Sequence, residues 1–229
     1  MIEAEWWDYE SPEELAEAVA GDVGFIISSA VEARSASLIA LPAGADERGI
    51  LTELAGQSLP WKRVTIVPTD DLMVGLDDER SKVRMLAKTF LALGGRVFPV
   101  VSEAASDHRA AGSAADARLQ DLPWPPDLVW LTIDDDGNVA GLVVGDDLEA
   151  ALDAPKARRA AGLMAADGIG RISLTRAAIL SARTLLITVQ GQAKRDLLEL
   201  AIADGHSSKL PVGRVLAEAE QPIDIHWCA

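Results

Sequence analysis

Cysteine and tyrosine are almost missing from this chain, which has one residue of each among 229. The lone cysteine, Cys228, cannot form an internal disulfide, so a disulfide-stabilised scaffold is excluded and a reducing, cytoplasmic compartment is favoured. Histidine is scarce as well, with three residues, and no cysteine–histidine cluster has the spacing of a zinc site. The sequence therefore gives no support to a metal centre of that kind.

Positive charge and long apolar runs are the other deficits. Lys and Arg number 21 against 36 Asp and Glu, which gives a formal net charge of −15. Because an acidic chain repels the phosphate backbone of nucleic acids, we expect no nucleic-acid partner. No run of about 18 apolar residues predicts a membrane span. The acidic start MIEAEWWDYE lacks the basic segment of a signal peptide, so we expect a cytoplasmic protein without a membrane partner.

Short apolar segments alternate along the chain with longer segments of helical periodicity. Strands are predicted at residues 2–8, 37–41, 63–67, 96–101, 128–133, 162–166, 171–174, 185–189 and 223–227. Helices are predicted at residues 11–34, 47–55, 81–93, 104–119, 192–203 and 211–217. Such alternation predicts an α/β fold, in which a mostly parallel sheet carries helices on both faces. We expect a single domain spanning residues 1–229.

In parallel sheets, ligands bind beyond the carboxyl ends of the strands, so the loops after strands are the candidate sites. One such loop lies within residues 127–145, which read DLVWLTIDDDGNVAGLVVG. The segment resembles the active-site strand and loop of the 6-phosphogluconolactonase family, whose pattern is close to D-L-V-L-L-G-M-G-x-D-G-H-x-A-S-L-F-P-G. Asp136 and Gly137 fall on that pattern, and the family's catalytic histidine falls on Asn138.

The same loop has a simpler interpretation. Asp-Gly-Asn between two apolar runs is also typical of a β-hairpin turn. A calcium loop is excluded: with Gly137 at its sixth position, the first and twelfth positions would be Thr132 and Val143, and neither is a carboxylate.

A loop earlier in the chain resembles the phosphate loop of the same family, L-S-G-G-S-T-P-K-G. Residues 41–49 read LPAGADERG, in which Gly44 is retained and Arg48 is a basic replacement. Glycine suits such a loop because it lets backbone N–H groups approach a phosphate at the start of a helix. The alternative is a plain strand-to-helix turn with acidic residues at the helix start.

Two short segments between these loops also match the family. In TDDLMV, Asp70 falls on the first acid of the family's D-E-R-W-V, and Leu72 takes the place of its arginine. In DDERSKVRML, the family's D-x-x-S-N-x-R-M-L is kept except that Lys82 replaces the asparagine. The simplest role of the second segment is structural, with Ser81 as a helix cap.

Two cations near the end of the chain complete the resemblance. Arg171 lies in RISLT, which resembles the family's R-I-T-L-T, and Lys194 lies in GQAK, which resembles its G-x-x-K. In the family both side chains help to hold the sugar phosphate. A guanidinium fork together with an ammonium point charge is a suitable pair for a phosphate.

The resemblance implies a modified doubly wound, Rossmann-like sheet of the NagB/RpiA-like type. It implies hydrolysis of 6-phosphoglucono-δ-lactone to 6-phosphogluconate in the pentose phosphate pathway, with no metal and no organic cofactor. It also implies a sugar phosphate bound by Gly44, Arg48, Arg171 and Lys194, in a monomer or homodimer.

The catalytic assignment is where this chain departs from the family. The Asn138 amide cannot titrate near neutrality as histidine does, so we expect weakened catalysis with Asp70 or Asp136 assisting water. The alternative is a homologue without catalysis, which binds a sugar phosphate or acts through protein partners.

Overall fold

Two sheets and eight helices make up the part of the protein described by a computed structural model, namely residues 3–75, 77–101, 105 and 107–229. The strands are β1 (Ala4–Tyr9), β2 (Ser37–Leu41), β3 (Val64–Pro68), β4 (Asp70–Leu72), β5 (Arg96–Val97), β6 (Leu128–Thr132), β7 (Ala160–Met164), β8 (Gly170–Leu174), β9 (Thr184–Gln190) and β10 (Ile223–Cys228). The helices are α1 (Pro12–Arg34), α2 (Arg48–Gly56), α3 (Lys82–Phe90), α4 (His108–Leu119), α5 (Leu148–Leu152), α6 (Arg176–Leu180), α7 (Gln192–Asp204) and α8 (Pro211–Leu216).

The main sheet has the strand order β1-β10-β9-β6-β2-β3-β5, and every pairing recorded in it is parallel. Its central strands are apolar along their whole length, as strands covered on both faces must be. In β2, Leu38 and Ala40 point into one core, whereas Ile39 and Leu41 point into the other. The sheet therefore separates two hydrophobic cores, and the prediction of a mostly parallel sheet covered on both faces is confirmed.

Different helices fill the two cores. Helices α1, α2 and α3 bury their apolar stripes in the core that contains Ile39, while α4 to α8 lie on the side of Leu38. Helix α1 begins where the sequence predicts, because the Ser11 hydroxyl accepts a hydrogen bond from the backbone N–H of Glu14 at 3.1 Å. Among the described residues, no helix is both long enough and apolar enough to cross a bilayer.

A second, three-stranded antiparallel sheet in the order β4-β8-β7 covers part of the Leu38 side. Helix α4 crosses β7 so closely that a Cβ on Gly112 would lie 2.1 Å from the Gly162 nitrogen. In this sheet Asp70 lies opposite Ser173, and Leu72 lies opposite Arg171. The pairing therefore brings the segment with Asp70 beside the strand with Arg171, although the two are about a hundred residues apart.

The chain reverses its winding direction at β2. From β2 it passes to β3 and β5 on one side, then crosses back to β6 on the other side of β2. The loops after β2 and β6 consequently separate from each other at the carboxyl edge of the sheet. In open α/β sheets such a switch point is where ligands bind.

Most predicted elements lie at their predicted positions, and the differences are local. The strand predicted at residues 96–101 ends at Val97, because β3 pairs with only two of its residues. The sequence did not predict β4, α5 or α6, each of which has at most five residues. The predicted starts of the first strand at Ile2 and of the fourth helix at Ala104 lie outside the described residues.

Candidate active site

A cleft of about 340 Å³ opens at the switch point. It is bounded by the loop after β2, the loop after β6 and the first turn of α7, with β4, α3 and β8 completing its walls. A larger cavity of about 480 Å³ lies at the amino ends of β9 and β10, and the predicted site residues are not among those that line it. The smaller cleft is thus the one that the topology and the family motifs both select.

The lining of the cleft includes two cations, Arg171 on β8 and Lys194 on α7, which we call the cationic wall. The Arg171 Nη2 atom lies 2.7 Å from an Asp167 carboxylate oxygen, and its buried Nε has no hydrogen-bond partner among the described residues. The Lys194 Nζ atom lies 3.5 Å from Asp46 and 3.8 Å from Asp135. Since both contacts of Lys194 are long, its ammonium keeps capacity for an anion.

The cleft is also lined by Glu47, Asp70 and Lys82, and we call this set the carboxylate wall. The Lys82 Nζ atom donates to both Asp70 oxygens at 2.7 Å, and Asp70 is only 2% exposed. The Asp70 carboxylate therefore serves as the direct partner of Lys82. This pair joins the start of β4 to the start of α3.

Glu47, the residue that precedes α2, is a buried carboxyl within the carboxylate wall. Burial raises the pKa of the Glu47 carboxyl, and this effect outweighs the lowering effects of its own backbone N–H, of Lys82 and of a hydrogen bond with the Thr132 side chain. Its carboxylate lies over the phosphate-like loop, because a Cβ on Gly44 would be 2.5 Å from Glu47 Oε2. The cleft thus contains an acid that titrates closer to neutrality than an ordinary glutamate.

Asp71 is buried like its neighbour Asp70 but has a structural role. It accepts hydrogen bonds from the backbone N–H groups of Leu72, Lys82 and Val83 at 2.9, 2.7 and 3.1 Å. Burial raises the pKa of the Asp71 carboxyl in spite of these donors. Ser81 caps α3 through the backbone N–H of Arg84 at 3.3 Å, which confirms the predicted cap.

The loop with Asn138 is a tight turn closed by Asp134. One Asp134 oxygen accepts from the backbone N–H groups of Asp136 and Asn138 at 3.0 and 2.9 Å, and the other accepts from the Asn138 side-chain amide at 2.8 Å. Only isolated bridges, such as Ile133 with Val139, connect the two arms of the turn. The segment is therefore a compact loop after β6, and not the paired strands that the hairpin alternative requires.

The structure brings most of the predicted site residues together. Those that line the cleft are Gly44, Asp70, Asn138, Arg171 and Lys194. The other two, Arg48 and Asp136, are exposed and are not among the residues that line it.

Two residues of the cleft were missed as site residues by sequence reasoning. In the sequence, Glu47 is an ordinary acidic residue at a helix start, and Lys82 is a replacement for the asparagine of the family pattern. A usable signal existed for Lys82, because it begins a helix that follows Asp70 at the same edge of the sheet. No comparable signal marks Glu47, since its burial depends on how α2 packs.

Comparison with known proteins agrees with this geometry. Residues 10–227 match the family described as glucosamine-6-phosphate isomerases/6-phosphogluconolactonase. The chain is 32% identical over 224 residues to a 6-phosphogluconolactonase of Rhizobium meliloti (strain 1021), with 96% of each chain covered. It is also 32% identical over 218 residues to a 6-phosphogluconolactonase of Pseudomonas putida, with 93% of this chain and 88% of the relative covered.

Solved structures are similar over almost the whole chain. A 6-phosphogluconolactonase from Shewanella baltica OS155 has a TM-score of 0.92 at 24% identity, covering 99% of this chain and 98% of its own. A monomeric glucosamine-6-phosphate deaminase of the NagB superfamily has a TM-score of 0.77 at 15% identity, covering 98% of this chain and 97% of its own. These two likenesses confirm the predicted NagB-like fold. With the match over residues 10–227, they lead to one assignment: the chain belongs to the glucosamine-6-phosphate isomerase/6-phosphogluconolactonase family.

Proposed function

We propose that this protein hydrolyses 6-phosphoglucono-δ-lactone to 6-phosphogluconate in the cytoplasm, more slowly than a histidine-bearing enzyme of this kind would. The observation that carries the proposal is the cationic wall, in which Arg171 and Lys194 line one cleft at the switch point of the sheet. The full-length relatives named 6-phosphogluconolactonase support the choice of substrate.

The charges of the two walls favour one orientation of the substrate. A phosphate is repelled by Glu47 and Asp70 and attracted by Arg171 and Lys194, so it binds at the cationic wall. The guanidinium of Arg171 and the ammonium of Lys194 supply the charge-assisted donors for the phosphate oxygens. The sugar ring then extends into the rest of the cleft, which Asn138 also lines.

The weaker catalysis follows from Asn138. Lactone hydrolysis needs a group that removes a proton from the attacking water, and an amide cannot do so. In this protein the Asn138 amide instead donates to Asp134 and closes the loop. Losing a general base typically lowers the rate by about 10²–10⁴.

The proposal is tested by the rate of 6-phosphogluconolactone hydrolysis above the spontaneous rate. We expect slow turnover by the wild type and faster turnover by Asn138→His, because a histidine there titrates near neutrality. Lys88→Ala, an exposed change on α3, serves as the control and should match the wild type. If neither the wild type nor Asn138→His exceeds the spontaneous rate, the lactonase proposal is wrong.

A second candidate is a sugar-phosphate-binding protein without turnover. It is favoured by the Asp70–Lys82 pair, which occupies the carboxylate that the sequence offers as a replacement base. Calorimetry with 6-phosphogluconate separates the two candidates. This second candidate is supported if 6-phosphogluconate binds while neither the wild type nor Asn138→His hydrolyses the lactone above the spontaneous rate.

A further inference from the structure

The predicted substitutes for the missing histidine are poorly placed to act as a base. Both oxygens of Asp70 accept from the Lys82 ammonium at 2.7 Å, so a proton taken by Asp70 would break a buried ion pair. Asp136 is exposed and is not among the residues that line the cleft. If the chain hydrolyses a lactone, another group has to accept the proton of water.

Glu47 is the remaining buried carboxyl among the residues that line the cleft. It is 8% exposed and ends the loop after β2. Its side chain contacts Thr132 at the end of β6. The Asn138 loop begins one residue after Thr132, so Glu47 stands at the same strand end as the position of the family's histidine. Its carboxylate accepts from its own backbone N–H and from the Thr132 side chain, whereas three backbone N–H groups hold Asp71.

Resting on the proposed function, we infer that Glu47 is the general base of the hydrolysis. Its carboxylate accepts a proton from water while the water oxygen bonds to the lactone carbonyl carbon. The tetrahedral intermediate then collapses with cleavage of the bond between the carbonyl carbon and the ring oxygen. The protonated Glu47 returns its proton to that ring oxygen, which becomes a hydroxyl group. The carboxylic acid product ionises and releases one proton to solvent, so atoms and charge balance.

The groups around Glu47 set the pKa of its carboxyl. Burial and, to a smaller degree, Asp46 favour its protonated form, whereas its own backbone N–H, Lys82 and the Thr132 side chain favour the carboxylate. Because burial raises the pKa of this carboxyl, Glu47 is a stronger base than an exposed glutamate.

The test compares Glu47→Gln in two backgrounds, with 6-phosphogluconolactone as substrate. In the wild type we expect kcat to fall by about 100-fold or more while KM changes little, because a base acts on the transition state. The acidic limb of the pH–rate profile should disappear with it. In the Asn138→His background the same change should cost less than about threefold, because the new imidazole removes the proton instead.

The matched control is Glu53→Gln, the same chemical change at an exposed position of α2, which should leave both kcat values unaltered. Equal losses from Glu47→Gln in the two backgrounds, or no loss in the wild type, would overturn the inference and leave the lactonase proposal standing. Activity in Asn138→His alone would also overturn it, since Glu47 would then not function as a base. Spontaneous rates in every variant would instead mean that the lactonase proposal itself has failed.

Discussion

The two walls of the cleft differ in how their charges are satisfied. On the carboxylate wall, Lys82 donates to both oxygens of Asp70 at 2.7 Å, so the two opposite charges of this pair satisfy each other. On the cationic wall, Arg171 is paired with Asp167 at 2.7 Å, but the contacts of Lys194 with acidic side chains are long, at 3.5 and 3.8 Å. An ion pair with short contacts contributes shape and stability, whereas a cation with only long contacts is available to an anionic ligand.

The comparison also distinguishes the buried acids from one another. Asp71 accepts three backbone N–H groups and fixes the start of α3. Burial raises the pKa of both carboxyls, but Glu47 lines the cleft and Asp71 does not. Position at the cleft therefore separates a structural carboxylate from one that is suited to chemistry.

The largest expected effect comes from removing the two cations of the cationic wall. Arg171→Ala and Lys194→Ala each remove a charge-assisted contact worth about 1.5–3 kcal/mol, so each should raise KM for the lactone by about 10- to 100-fold. We expect the double variant to lose both contributions and kcat to change less than KM. Steady-state kinetics measures both constants. Unchanged KM values would mean that the phosphate is held elsewhere.

A smaller effect is expected from displacing Asp70 from its ion pair with Lys82. A Cβ at Gly141, where φ is +74°, would lie 2.7 Å from Asp70 Cβ, so Gly141→Ala must move Asp70. We expect a loss of about 2–4 kcal/mol in the free energy of unfolding, from strain and overpacking together, and at least about tenfold in kcat/KM.

Gly168→Ala is the matched control for that change. Its φ is +76°, and a Cβ there meets nothing within 4 Å. It should cost only the backbone strain of about 1–2 kcal/mol and leave kcat/KM intact. Equal effects of the two substitutions in urea unfolding and in kinetics would show that the contact with Asp70 is unimportant.

The smallest effect concerns the stability cost of Glu47. Its raised pKa in the folded state means that the native protein binds this proton more tightly than the unfolded chain. Stability is therefore lost as pH rises from the ordinary glutamate value of about 4.3 through the folded pKa. Glu47→Gln should be more stable than the wild type at pH 7, and the difference should vanish below about pH 4, as thermal melts can measure. A less stable variant at pH 7 would contradict this account.

The main sheet could be predicted because its strands are apolar and lie between clear helix signals. The segment SLIAL of β2 is buried at every position, and Ser11 marks the start of α1. Strand β4 could not be predicted, because Asp-Asp-Leu becomes a strand only by pairing with β8, which is distant in sequence. The antiparallel sheet is thus a product of tertiary contacts.

The site was predictable to a similar extent. Motif spacing located Arg171, Lys194 and Asn138, since loops after parallel strands meet at one edge. The spacing of motifs carries no information on burial or on ion pairing. It therefore could not show that Lys82 forms an ion pair with Asp70 or that Glu47 is buried. The same limit applies to Arg48 and Asp136, whose exposure follows from the path of their loops.

The most direct test of the central claim, that the cationic wall selects a phosphorylated lactone, is a ratio of two rates. We would measure kcat/KM of the wild type for 6-phosphoglucono-δ-lactone and for glucono-δ-lactone, each above its spontaneous hydrolysis. The account predicts a preference of at least about 100-fold for the phosphorylated lactone, as two charge-assisted contacts provide. It also predicts that Arg171→Ala lowers this preference. A ratio near one, or no catalysis of either lactone, would contradict the account.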